Sequence, residues 1–254
     1  MSRFWSRLIP FSGLALFFGL WELYVRAAGI RPIVLPEPSG IALEVLQNPA
    51  FYLEHAAVTL GEALGGFALA FVVAVFVATA MSMSSSIERA SWPVLIMVQS
   101  TPIIVFAPIL ATWFGLTYAP KAIMASLFVV IPLTSATFTG LRSTDRDTLE
   151  VLRSVDASRL EIFTHLQVPS ALPSILSVAK VGVALALLGA IVAELYGGSI
   201  AGLGYVFNTS LSRALVYQAW GAVFCASILG IAATTVVVVL ERRLISWHSS
   251  QQQG

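Results

Sequence analysis

Residues 142–169 read Arg142-Ser-Thr-Asp-Arg-Asp-Thr-Leu-Glu150-Val-Leu-Arg-Ser-Val-Asp156-Ala-Ser-Arg-Leu-Glu-Ile-Phe-Thr-His-Leu166-Gln-Val-Pro169. The segment is too charged to lie in hydrocarbon, yet apolar residues recur at helical spacing, at Leu149, Leu152 and Val155 and again at Leu160, Phe163 and Leu166. The spacing predicts two short amphipathic helices. Asp156 stands between them, where it either ends the first in a left-handed conformation or caps the second by accepting a backbone N–H. Pro169 and Pro173 are expected to close the unit before the next apolar run begins. A folded, charged elbow between two apolar runs is a rigid handle through which a soluble partner can push on the helices joined to it.

Outward from that elbow the chain is apolar. Of 254 residues 57% are hydrophobic and 11% charged, against about 25% charged in a soluble domain, so this chain cannot cover a water-facing surface. A bilayer-spanning helix needs about 20 mostly apolar residues, and six stretches meet that test: 8–27, 59–81, 94–116, 121–141, 172–195 and 219–240. An all-α integral membrane protein of six spans is predicted, with the elbow between spans four and five. Basic residues in short loops mark the cytoplasmic side. Arg3, Arg7, Arg89, Arg142, Arg146, Arg153, Arg159, Arg242 and Arg243 fall on one side, and Arg26, Arg31, Lys121 and Arg213 on the other. Nine against four places both termini and the elbow in the cytoplasm of a multi-pass protein of the bacterial inner membrane. Residues 1–55 form a first span and an outer loop, 56–245 the transmembrane domain carrying the coupling loop 142–170, and 246–254 a polar cytoplasmic tail.

Arg3 and Arg7 ahead of an apolar run resemble a secretory signal, but the run continues through Trp21, Glu22 and Tyr24 to Arg26, longer and more polar than a removable segment. It reads as a retained span, with Glu22 and Arg26 paired at i, i+4. The net charge of +1 carries no field for nucleic acid. Cys225 is a lone cysteine in an apolar run, and His55, His165 and His248 are scattered, so neither a disulfide framework nor a metal site is expected. No nucleophile stands with a base at motif spacing, so no catalytic residue is assigned.

Within the spans the informative residues are those that hydrocarbon penalises. Pro102 and Pro108 interrupt the third span and Pro132 the fourth, freeing backbone carbonyls that need partners in neighbouring helices or a watery cavity. They mark either a protein-lined path or plain packing kinks. Gln99, Ser100 and Thr101, beside Pro102, either face a substrate or bond the freed carbonyls. Lys180 and Glu194 share the fifth span, where an ionisable group costs on the order of 2.5–3.5 kcal/mol. About 21 Å of helix separates them, so each needs its own explanation. For Lys180 the readings are snorkelling to the cytoplasmic surface or lining a cavity; for Glu194, ahead of Gly197-Gly198, a gate or a wetted interfacial group. Gln99, Thr101, Lys180 and Glu194 are therefore the candidate translocation path.

Glu150, Asp156, Leu166, Val168 and Pro169 stand at the spacing of the Glu-Ala-Ala motif of ABC importer permeases, with Val151 and Leu152 in place of the two alanines and Asp156 in place of the motif glycine. Thr59-Leu-Gly-Glu62-Ala-Leu-Gly-Gly-Phe67, Gln99-Ser-Thr-Pro102, Trp113-Phe-Gly115, Gly140-Leu-Arg-Ser143 and Gly202-Leu-Gly-Tyr205 extend the resemblance over roughly residues 35 to 245, to the nitrate, sulfonate, taurine and thiamine-precursor branch. Glu62, Lys180 and Gly189-Ala-Ile-Val-Ala-Glu194 look closer to permeases for thiamine pyrimidine precursors and riboflavin-like heterocycles. The resemblance implies the type I importer permease fold, a homodimer, two cytoplasmic ATPase subunits, and a periplasmic or lipid-tethered substrate-binding protein. It also implies that Glu150, Arg153, Asp156, Arg159, Leu166 and Pro169 belong to the loop that docks on the ATPase. The sequence has no phosphate-cradling glycine-lysine loop, so ATP and Mg are expected on the partner and no cofactor on this chain. A proton-coupled carrier working through Lys180 or Glu194 is the alternative, and it would transport without an ATPase.

Overall fold

The computed structural model describes residues 3–244, so the 246–254 tail lies outside the described residues. Among these there are helices and no strand. The chain runs α1 (Arg3–Ala27), α2 (Pro38–Gln47), α3 (Pro49–Met83), α4 (Ser85–Ser100), a 3-10 turn (Ile103–Val105), α5 (Phe106–Phe114) and α6 (Tyr118–Arg142). It continues through α7 (Arg146–Ser154), α8 (Arg159–Ile162), a π turn (Phe163–Gln167), α9 (Val168–Tyr196), α10 (Leu203–Ser212) and α11 (Val216–Leu244).

Helices α3, α6, α9 and α11 are each long and apolar enough to cross a membrane. The predicted third span is not one rod: α4 and the segment 103–114 meet at 75° and are together apolar enough for either one broken span or a re-entrant loop. Pro102 causes the break, because it has no N–H to continue the helical ladder. The first expected span, 8–27, falls within α1.

Small residues decide how the bundle packs. Helix α6 is central, between α3 and α9. The buried stripe of α3 is Ala63, Gly66, Ala70, Ala74 and Ala78, at the three- and four-residue spacing that brings one face of a helix onto a neighbour. A Cβ on Gly189 of α9 would lie 2.7 Å from Ala125 Cα on α6, and one on Gly140 of α6 would lie 2.8 Å from Ala171 Cα on α9. Lipid is as apolar as leucine, so close backbone approach rather than hydrophobicity holds such helices together.

Two helix boundaries differ from the expectation. Helix α3 begins at Pro49, ten residues before the predicted span, because Pro at the first helical position starts a helix as readily as it stops one. Pro169 and Pro173 do not close the elbow: Pro169 sits in the first turn of α9 and Pro173 inside it, and helix runs without a gap from Arg159 to Tyr196. The π turn absorbs the irregularity. The second elbow helix is thus the root of the fifth span. Glu22 and Arg26 do pair, at 2.6 Å, and Glu22 also accepts the Ser39 N–H at 3.0 Å, tying α1 to the start of α2.

Candidate functional site

The elbow is built from local signals. Asp145 caps α7 by accepting the Thr148 N–H at 3.0 Å and the Thr148 hydroxyl at 2.7 Å. Asp156 has φ +55°, its N–H reaches the Arg153 carbonyl at 3.1 Å, and the Ala157 N–H reaches the Leu152 carbonyl at 3.0 Å. These two bonds make a Schellman ending with aspartate in the place glycine usually holds, the first of the two expected alternatives. The second helix is capped by Ser158, whose side chain and N–H pair reciprocally with Glu161, a Ser-x-x-Glu box that was legible in the sequence and went unread. The hydrogen bonds that Asp145 and Glu161 accept hold both carboxyls below their ordinary values, so both caps are ionised at neutral pH. Asp156→Val should destabilise the turn by about 1–2 kcal/mol, the cost of a left-handed backbone for an ordinary residue, and Asp156→Gly should not. Equal thermal unfolding of the two variants in detergent would refute this.

What the elbow presents is unusual for a surface bathed in water. Val151, Val155 and Leu160 are exposed at 62%, 68% and 71%, beside the exposed charges Glu150, Arg153 and Arg159. Leu166 and Pro169 line a groove of about 480 Å³ at the elbow's base, with Ser143, His165 and Pro173. Arg142, at the elbow's other root, bonds Glu88 at the start of α4 (2.7 Å) and lies 4.7 Å from the centre of the Phe138 ring. The elbow is therefore fastened to α6, α9 and α4.

At the opposite end of the bundle lies a cluster that the sequence did not bring together. Glu194, expected at a gate or a wetted interface, is fully buried. It accepts the Thr59 hydroxyl at 2.7 Å and the N–H groups of Gly204 and Tyr205. Thr59 Oγ1 accepts the Leu203 N–H at 2.8 Å, and His55 Nδ1 the Gly202 N–H at 3.0 Å. The first-turn amides of α10, which no carbonyl of their own helix can reach, are thus satisfied by side chains of α3 and α9, and a carboxylate sits at the positive end of the helix dipole. Gly202, at φ +105°, and Gly204 leave the space: a Cβ on Gly202 would collide with the Glu194 carboxyl, and one on Gly204 would lie 2.9 Å from its Oε2. Glu62, also buried, turns its carboxyl onto that of Glu194 with Oε2 otherwise unpartnered. Lys121, counted as a loop residue, is buried nearby and donates to the carbonyls of Thr117 (2.8 Å) and Leu116 (3.2 Å).

The other candidates disperse. Lys180 pairs with Glu241 of α11 at 2.9 Å. Thr101 spends its hydroxyl on the Met97 carbonyl at 2.9 Å, the carbonyl-bonding alternative. Gln99 is exposed and faces a cavity beside the break in the third span. No group of three or more possible metal ligands occurs among the described residues.

The chain belongs to the family of binding-protein-dependent transport system inner membrane components, whose description matches residues 66–246. It is a permease subunit of an ABC importer, a class that works with an ATPase and a substrate-binding protein. It is 31% identical over 252 residues to the formylaminopyrimidine transport permease protein ThiX of Halalkalibacterium halodurans, covering 99% of this chain and 100% of that protein. To the riboflavin transport system permease protein RibX of Chloroflexus aurantiacus it is 31% identical, covering 93% and 89%. The crystal structure of an amino acid ABC transporter with histidines shares the fold at a TM-score of 0.63 and 15% identity, over 79% of this chain and 97% of that one.

Proposed function

We propose that two copies of this chain form the translocation path of an importer for a small planar heterocycle of the pyrimidine or flavin kind, driven by two ATPases that dock on the elbow. The observation that carries the docking is the exposed set Val151, Val155 and Leu160 among Glu150, Arg153 and Arg159. An apolar patch rimmed by charge, outside the apolar spans, is what a protein partner covers. Helix continuous from Arg159 to Tyr196 then carries the push from the elbow into the fifth span. Both termini and the elbow lie in the cytoplasm on this reading, and the binding protein delivers cargo at the opposite end, where the Glu194 cluster holds α10. Arg142, Glu150, Arg153, Asp156, Arg159, Leu166 and Pro169 are the coupling residues.

The cargo class rests on the similarity to ThiX and RibX, ahead of 26% identity to an aliphatic sulfonate permease protein SsuC. Uptake into liposomes bearing the chain, its ATPase and its binding protein is the test. ATP-dependent accumulation of formylaminopyrimidine or riboflavin is expected, with taurine and nitrate excluded. Accumulation without an ATPase would instead favour the proton-coupled carrier.

A further inference from the structure

At the break in the third span, α4, α6 and α9 line an open cleft of about 440 Å³, within the range of about 300–1,000 Å³ that small-molecule sites occupy. Most of its wall is aliphatic, with Trp92 and Phe128 contributing aromatic surface. Two polar side chains, Gln99 from α4 and Ser135 from α6, also reach it. An amide and a hydroxyl facing hydrocarbon without partners are costly, whereas both are useful to a ligand that can bond them. Pro132, also on the wall, has no N–H and so frees the Phe128 carbonyl one turn away as a further acceptor.

We propose that this cavity is a transit site for the cargo in which a planar nitrogen heterocycle lies against Trp92 and Phe128 and is hydrogen-bonded by Gln99 and Ser135. The proposal rests on the cargo class inferred above and adds where in the chain that cargo is held. Gln99 offers two N–H donors and a carbonyl acceptor, and Ser135 one donor with two lone pairs, which suits the mixed donor and acceptor edge of an aminopyrimidine or flavin. No lysine or arginine lines the cavity, so a sulfonate or nitrate anion would find no counter-charge there, and an acyl chain would leave both polar groups unpaired. The cavity is also within reach of the elbow. Trp92 meets the Phe138 ring edge-on at 5.8 Å, and Phe138 lies under the Arg142 guanidinium that bonds Glu88. Movement of the elbow therefore acts on one wall of the site.

The test uses the full transporter in liposomes, with Cys225→Ser removing the native thiol and Ile96→Cys placing a reporter on the cavity wall. Under turnover, saturating formylaminopyrimidine or riboflavin is expected to slow modification by a small thiol reagent severalfold, and taurine is expected not to. In parallel, Gln99→Leu should lower heterocycle uptake about tenfold, the factor one lost hydrogen bond represents, while ATP hydrolysis stimulated by the loaded binding protein persists. Uptake of heterocycle with an unchanged modification rate, as a resident acyl chain would give, overturns the transit site and leaves the cargo reading intact. Uptake of taurine or nitrate in place of heterocycle overturns both.

Discussion

Replacing Glu150 by arginine is expected to abolish ATP-dependent uptake while the protein still accumulates in the membrane. Glu150 is exposed in α7 between the exposed Val151 and the half-buried Leu149, with no hydrogen bond or ion pair among the described residues. Its charge therefore contributes little to folding, and surface substitutions of that kind stay within about 0.5 kcal/mol. A docking surface responds differently. A reversed charge on the patch rim sets like charge against a partner built to receive the carboxylate, and like-charge juxtaposition costs several kcal/mol, enough to leave the elbow unoccupied. Deleting 157–165 should have the same outcome for a different reason, since it removes the capped second helix through which α9 is held. The measurement is uptake in reconstituted liposomes beside co-purification of the ATPase. Wild-type uptake by the Glu150→Arg protein would show that the elbow is not where the energy enters.

Glu194→Ala should be the most damaging single change in the membrane-embedded part of the chain. It removes the acceptor for the Gly204 and Tyr205 amides and for the Thr59 hydroxyl, inside a fully buried site. Bonds to charged groups are worth about 1.5–3 kcal/mol each, and an orphaned buried donor costs a further 1–3 kcal/mol. A loss of about 3 kcal/mol or more in thermal unfolding is expected, together with loss of uptake as α10 detaches from α3. Glu194→Gln keeps one acceptor oxygen and should lose less. Gly202→Ala tests the same cluster from the other side, because its Cβ would need the space the carboxyl occupies and its backbone the left-handed region. If Glu194→Ala unfolded at the wild-type temperature, the carboxylate would not be the clamp described.

The two ends of the bundle differ in how far they could be read in advance. The elbow was legible because its signals are local. Amphipathic spacing, a cap residue and a turn residue act within a few positions of one another, so Leu149 to Pro169 could be read without knowing any neighbour. The exceptions follow from the same rule. Pro169 and Pro173 read as stops in isolation, but proline is tolerated in a first turn and a π turn absorbs irregularity deeper in the helix, so the second elbow helix and the fifth span are one piece. The short helix α10 went unread because only its glycine start, Gly202 to Tyr205, stood out.

The polar cluster could not be read in the same way. Glu62 and Glu194 are 132 positions apart, and nothing in either local sequence says that α3 and α9 bring them into contact. Lys121 counted as a loop charge because positive-inside arithmetic weighs loops, not burial. The pairing of Lys180 with Glu241 likewise joins two helices.

The amino-acid order alone determined that this chain lives in a bilayer and carries a charged elbow of the permease kind, because hydrophobicity, charge placement and helix punctuation act between near neighbours. Only the tertiary structure decided which buried charges meet, where the third span breaks open beside Gln99, and that the elbow is rooted directly in α9. Those outcomes depend on how closely small residues such as Gly66, Gly140 and Gly189 let α3, α6 and α9 approach, and the distance between two helices is a property of the packed bundle rather than of either sequence.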